Sequence, residues 1–578
     1  MKLHSILLAA TALCGTVGPV LAGDLGFAPV PVPADDAAKR SVVVSDNVTL
    51  DGVAVKTGYH VLYRSGDKLG EATFAEILDK DGKPASEKGP STNPDYTSLL
   101  PIGGKVFSVT HFEDLPAGMY VSELAQDADG NLKPVWTKPV DFSAVGGLWN
   151  PCAGSVTPWN THLGSEEYPT DARAVEAAKE LKDLDEEAVQ MAAYFGLDPR
   201  VMTADEFRAA VNPYRYGFPT EVTVSETGET SVAKHFAMGR VSVELANIMP
   251  DQKTAYISDD GTNVGLFRFV ADKAGDLSAG QLFAAKWVQT SADNGGAADI
   301  EWIDLGHADD ATIHDAIEKG TKFSDIFETA DFTADGKCPE GFMVSIAEGR
   351  SECLKVKPGM EAVASRLETR RYASMMGATT EFRKMEGSAF DPVSKTFFLA
   401  MSEIGKGMTD NDEKADKGGR NDIRLAKNGC GAVYSMALDD AFVGHKMQAL
   451  VVGKPIEYAA DSPYAGQTCD VEGIASPDNI TFIPGYGTLI IGEDTGEGHQ
   501  NDAVWAYDMA KATLTRIATT PYGAEATSVD WYADVNGHAY LTMVVQHPFG
   551  ESDEDKIQDA AEARGYVGYI GPFPAVKP

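Results

Sequence analysis

Four segments of this 578-residue chain share one arrangement. A glutamate leads a short turn of small residues, then an apolar strand ends in an acid or amide. The segments run from Glu244 to Asp260, Glu386 to Glu403, Glu472 to Asp494 and Glu525 to His547. One acid at a loop tip is usually solvated surface. Four in the same phase are expected to meet, and crowded carboxylates repel unless cations lie between them. The chemistry this implies is a centre for hard metals with oxygen ligands: Ca²⁺, Mn²⁺ or Fe³⁺. No HExxH, no GxSxG with partners, no GxxxxGK[ST] and no dinucleotide fingerprint competes with it.

The elements that must position these acids are strands. Short apolar runs alternate with turns from about 24 to 150, as in SVVVSD, VFSVTHFEDLP and MYVSEL. Repeating strand units of this length predict an all-β fold, a β-propeller, in which equivalent positions of different blades converge on one axis. Two insertions interrupt it. Residues 170–211 have helical composition, with a capping box at Thr203–Glu206, and residues 307–331 form a second non-strand stretch. His307 and His314 there read as solvated helix residues. Residues 410–428 are expected to be a charged surface loop. Residues 23–578 are taken as one domain.

Charge narrows the partners. Lys plus Arg number 49 and Asp plus Glu 86, a net charge of −37. Such a body offers no broad surface for nucleic acid or anionic lipid, and the expected partner is a small molecule bound to a monomer. No segment after the first 22 residues is apolar enough to span a bilayer. Lys2, the apolar run Ile6 to Val20 and small residues up to Ala22 predict a Sec-type signal peptide over residues 1–22. The mature chain is then periplasmic or extracellular, where cysteines pair. Five remain: Cys338 and Cys353 flank a short loop, Cys430 and Cys469 are the next pair, and Cys152 is left over. It is either a buried free thiol or a thiolate held by a metal.

The stretch Asn150-Pro-Cys152-Ala-Gly-Ser-Val-Thr157-Pro158-Trp159-Asn-Thr161, followed by Glu166-Glu167, resembles the signature of the PhoX-type alkaline phosphatases. The likeness continues in order through Tyr216–Glu221, Gly239–Glu244, Tyr256–Asp260, Phe267–Val270, Gly377–Glu386, Ala475–Asp478, Gly523–Glu525 and Gln546–Pro548. Ser165 stands where the family has a Cys, and Val243 where it has a His. The resemblance implies a six-bladed propeller whose axis holds ferric and calcium ions and cleaves phosphate monoesters. It assigns Cys152 as an iron ligand. It assigns the metal-binding acids to Glu167 or Glu166, Glu244, Asp260 or Asp259, Glu386, Glu472, Asp478 and Glu525. Lys384, or Arg383 beside it, is expected to clamp the phosphate. Two rival readings are a calcium-dependent propeller lactonase or phosphotriesterase, and a calcium-stabilised binding propeller with no catalysis.

Overall fold

The computed structural model describes residues 23–412, 414–415, 419–551 and 553–576; the expected signal peptide lies outside them. Six antiparallel units of four strands form the body. Blade 1 runs through Pro94–Ile102, Lys105–Phe112, Gly118–Gln126 and Leu132–Pro139. Blade 2 comprises Ser155–Val156, His162–Gly164, Thr220–Val224 and Thr230–Lys234. Blade 3 comprises Val243–Ile248, Thr254–Asp259, Phe267–Lys273 and Asp276–Ser291; blade 4, Met385–Asp391, Thr396–Met401, Ala432–Leu438 and Gly444–Val452. A strand at Ala297–Asp309 pairs with the outer strands of both and joins them. Blade 5 comprises Pro477–Ile483, Thr488–Glu493, Ala503–Asp508 and Thr513–Thr519. Blade 6 comprises Glu525–Thr527, His538–Gln546 and Tyr566–Pro574, and its outer strand is Gly58–Arg64 from the other end of the chain. That pairing completes blade 6 with a strand from far back in the chain and so ties the ring of blades together.

Period-two alternation builds the core between blades. In Thr488–Glu493, Leu489 and Ile491 pack with Phe398 and Ala400 of blade 4. The intervening Ile490 packs with Ala526 and Leu541 of blade 6. Successive side chains of a strand point to opposite faces, and here each face meets a neighbouring blade. The first strand of every blade faces the axis. Leu99, Val156, Leu245, Ala389, Ile480 and Ser528 line one axial cavity of about 710 Å³.

The first insertion carries less helix than its composition suggests. It forms α-helices only at Ala172–Ala177 and Ala204–Ala210, with 3₁₀ turns at Leu181–Asp183 and Ala188–Phe195. Leu181, Leu184 and Ala188 of this stretch still pack into one buried cluster with Trp149 and Tyr216. The capping box forms, with Thr203 and Glu206 exchanging hydrogen bonds. In the second insertion Asp310–Glu318 is helical. His307 lies at the end of a strand instead, paired with Asp272 at 2.9 Å, while His314 sits on the helix, half exposed. Two further helices, Glu361–Leu367 and Thr369–Met376, were not legible. They bury Arg366, Arg370 and Arg371, charges that read as surface in a sequence. Disulfides join Cys338 to Cys353 and Cys430 to Cys469, and Cys152 is a buried free thiol.

Candidate metal centre

Each blade delivers two residues to one end of the axis. In an antiparallel hairpin the start of the first strand lies beside the end of the second, as in the pairs Val243 with Asp259, Met385 with Met401, Pro477 with Glu493 and Glu525 with Gln546. The residues at these paired ends are Asp95 and Glu113 in blade 1, and Cys152 and Glu167 in blade 2. They are Glu244 and Asp260 in blade 3, Glu386 and Ser402 in blade 4, Asp478 and Asp494 in blade 5, and Glu525 and His547 in blade 6.

Two local devices aim them inward. In blades 1, 3, 4 and 5 the ladder register breaks at the first-strand acid: between Pro94 and Thr97, Val243 and Leu245, Met385 and Ser388, and Pro477 and Ile480. A bulge frees such a residue from the pleat and re-aims its side chain. The second device is one backbone bond. The N–H of Glu113, Glu167, Asp260, Ser402 and Asp494 donates to the carbonyl of Asn93, Asn150, Ser242, Lys384 and Ser476, each two residues before its blade's first-strand ligand, at 2.9–3.1 Å. Asn150, Lys384 and Ser476 hold positive φ, of 24°, 45° and 40°, an uncommon conformation for these residues that clusters at sites fixed for function. Gly387 follows Glu386 because a Cβ there would lie 2.7 Å from the carbonyl oxygen of Asp478.

The result is a chain of four linked groups, each with ligand atoms within 4.8 Å of one another. They are Asp95, Glu113 and Cys152; Cys152, Glu167 and Glu244; Glu244, Glu386 and Asp478; and Asp478, Asp494 and Glu525. Cys152, Glu244 and Asp478 each serve two groups. Few donors reach these oxygens. Ser402 donates to Glu386 at 2.6 Å, Gln546 to Glu113 at 2.7 Å and Asn479 to Asp478 at 2.7 Å. Both carboxylate oxygens of Asp95 and of Glu244, and Oδ1 of Asp260, are buried with no hydrogen-bond partner. A buried carboxylate without a partner costs far more than one solvated or paired. Burial, and then neighbouring carboxylates, push Glu244, Asp478 and Glu525 well above the ordinary range. Glu113 rises to about 7 mainly by burial, and Glu386 to about 7 by burial and Asp260. Burial, and then Glu244, Asp95, Glu113 and Glu167, also hold the Cys152 thiol well up. Cations placed among these groups would supply the missing partners, and eight carboxylates with one thiol form an oxygen-rich donor set with a single soft ligand. The residues present therefore fit a multi-cation centre.

Lys384 is the cation this chain itself supplies. Its Nζ lies 3.3 Å from Asp260 and 3.2 Å from Glu386, with the side chain one quarter exposed. Burial works against its charge, yet Asp260 and Glu386 hold its ammonium well above the usual lysine range. Tyr168 bonds Asp260 through its hydroxyl while its ring is half exposed. His547 faces Glu525 at 3.3 Å and Glu551 at 3.7 Å.

Several expected positions fall elsewhere. Glu472 is exposed and pairs with Arg516 at 3.4 Å; the third repeat is offset by six residues, and Asp478 holds the position Glu472 was expected to fill. Proline at 477 and the bulge behind it hid this register. Glu166 turns into the protein, on Lys234 at 2.7 Å and the amides of Trp149 and Gly217. Asp259 is clamped by Arg370. Arg383 points away to Glu403 at 2.8 Å and Thr262 at 2.7 Å. Asp95, Glu113 and Asp494, which join the four groups, were not among the expected positions. The signal existed: Asp95 opens an apolar run, as Glu244 and Glu386 do, and Glu113 closes the next strand.

A closed six-bladed propeller with a buried, oxygen-rich cation centre at one end of its axis is the class these features define. The family model for alkaline phosphatase PhoX matches residues 122–548, and the chain belongs to that family. Among solved structures it is similar to Pseudomonas fluorescens PhoX in complex with vanadate, a transition state analogue. The TM-score is 0.62 at 17% identity, over 95% of this chain and 98% of that one. At that identity the likeness bears on the fold. The periplasmic gluconolactonase PpgL of Pseudomonas aeruginosa aligns with a TM-score of only 0.30 at 10% identity, over 81% of this chain and 97% of that one. A comparison with curated proteins finds no match. No helix among the described residues is long and apolar enough to cross a membrane.

Proposed function

We propose that this chain is an exported phosphatase that hydrolyses small phosphate monoesters at a centre of ferric and calcium ions on the propeller axis. The observation that carries the reading is the set of partnerless buried carboxylates of Asp95 and Glu244 within the four linked groups. Cys152, with Asp95, Glu113, Glu167 and Glu244, would hold iron, because it brings the one thiolate. Glu386, Asp478, Asp494 and Glu525 would hold calcium through oxygen alone. Bound there, such ions supply Lewis acidity for the phosphoryl group and activate water at working pH.

The chain's own residues bind and orient. Lys384, at the exposed margin, offers its ammonium to a phosphate oxygen as a point charge. Tyr168 holds Asp260 beside it, and Glu386 pairs with Lys384 itself. The propeller wall keeps bulk water from the acids, which strengthens every charge interaction inside. Export through a Sec route would have metal loaded outside the cytoplasm. Elemental analysis of the purified protein, paired with hydrolysis of p-nitrophenyl phosphate, tests the reading. Iron and calcium with monoesterase activity support it. Calcium without iron, with lactone or triester hydrolysis, would replace it with the lactonase or phosphotriesterase reading.

A further inference from the structure

Cys152 is held by more than its place in the ring. Its backbone N–H donates to Oγ of Ser165 at 2.9 Å. Its carbonyl oxygen receives Nε2 of His111, and the same nitrogen lies 3.6 Å from Oδ1 of Asp95. Both backbone polar groups of the thiol-bearing residue are thus tied to side chains from other strands, all of them fully buried.

His111 is itself braced. Its ring meets the ring of His162 edge-on, with centroids 5.3 Å apart, and Nδ1 of His162 lies 3.0 Å from Oγ of Ser98. Nδ1 of His111 and Nε2 of His162 are buried with no partner. Both face the bare Cα of Gly164, where a Cβ would lie 3.2 Å from each nitrogen and 3.0 Å from Cε of Met119. A Cβ there would press on both rings, which would have to give by a few tenths of an ångström. A carbonyl oxygen can only accept, so the bond to Cys152 puts a proton on Nε2 of His111.

We infer that His111, braced by His162 over Gly164 and acting with Ser165, is a positioning residue that fixes the Cys152 backbone so that the thiol meets a metal in one geometry. Outer partners of this kind orient metal ligands, and losing one typically weakens metal binding about 10–100-fold. The inference rests on the reading of Cys152 as a metal ligand, but not on phosphatase activity. A main chain tied at both polar groups also keeps Cys152 at its buried place before metal arrives.

The test uses the whole mature chain, metal-stripped and then loaded with Co²⁺, whose thiolate complex absorbs in the near ultraviolet. His111→Leu removes the donor, His111→Gln restores an N–H near the position of Nε2, and Gly164→Ala pushes on both rings. His111→Leu and Gly164→Ala should speed modification of the Cys152 thiol in the metal-free chain by about tenfold and shift or weaken the Co²⁺–thiolate band, with metal released about 10–100-fold more readily. His111→Gln should return both readouts to within about twofold of the parent, given a retained hydrogen bond. Should His111→Leu fail to fold, Gly164→Ala and Ser165→Ala carry the same expectation. Parental thiol rates and an unchanged band in the folded variants would overturn the inference. A parent chain with no Co²⁺–thiolate band would overturn it too, by removing Cys152 from the ligand set. Loss of hydrolysis with the band intact would count against the phosphatase reading alone.

Discussion

Two regions of this protein bury acidic groups, and they treat them oppositely. Around the helices Glu361–Leu367 and Thr369–Met376, Asp171, Asp259, Glu348, Glu352 and Glu368 each meet a cation of the chain. Arg370 grips Asp259 and reaches Glu348 at 3.0 Å; Arg371 reaches Glu352 at 2.6 Å, Glu368 at 2.8 Å and Asp171 at 3.1 Å. On the axis Asp95 and Glu244 meet no donor, and Lys384 is the one lysine or arginine placed among the acids by the ion pairs of the described residues. The divide runs between neighbours in sequence. Glu166 takes Lys234 while Glu167 faces the axis, and Asp259 takes Arg370 while Asp260 faces Lys384. Glu493 takes Trp505, His499 and backbone amides while Asp494 joins the ring. Paired buried charges set the shape; unpaired ones hold a place for something the chain does not encode.

The comparison predicts opposite signs for single substitutions. Arg370→Met strands Asp259 and Glu348, and should cost about 3–5 kcal/mol with or without metal, read by chemical denaturation. Glu244→Gln removes one of the repelling acids, so the metal-stripped protein should melt higher than its parent while metal content and turnover collapse. Elemental analysis beside a thermal melt reads both; a metal-stripped Glu244→Gln that melts lower would mean the ring is held by contacts of its own. Lys384→Ala should leave metal content intact and lower kcat/KM by about ten- to a hundredfold, the worth of a charge-assisted hydrogen bond of about 1.5–3 kcal/mol. Arg383→Ala should change it by less than about threefold, because Arg383 is turned to Glu403 and Thr262 and away from the acids of the centre.

pH gives a gentler contrast. Glu113 and Glu386 rise to about 7 from an ordinary 4.5, so in the metal-free fold they bind protons more tightly than in the unfolded chain. Their stabilising contribution is full below 4.5 and fades as pH rises through 7. Metal-stripped protein should therefore lose melting temperature from pH 5 to pH 8, and added Ca²⁺ should restore most at the upper end. The smallest effect belongs to Glu472→Gln, within about 0.5 kcal/mol and silent for metal, since its exposed pair with Arg516 contributes little. A large loss of metal there would return Glu472 to the centre.

Sequence alone determined what repeats. The strand alternation and the acid-led units pointed to a propeller, because the pattern of period two and its turns are local properties; Cys152, Glu167 and Asp478 came from the family resemblance. Sequence also placed Glu244, Glu386 and Glu525 together, since equal positions in equal units converge. It left open Glu166 or Glu167 and Asp259 or Asp260, because neighbours at a strand end differ only in direction. Tertiary structure decided those, by where Lys234 and Arg370 stand across the fold. It decided against Glu472 for Asp478 because a bulge sets register, and bulges depend on the strand alongside. And it drew in Asp95, Glu113 and Asp494, whose membership in the ring follows from six hairpins closing on one axis. No segment read by itself carries that closure.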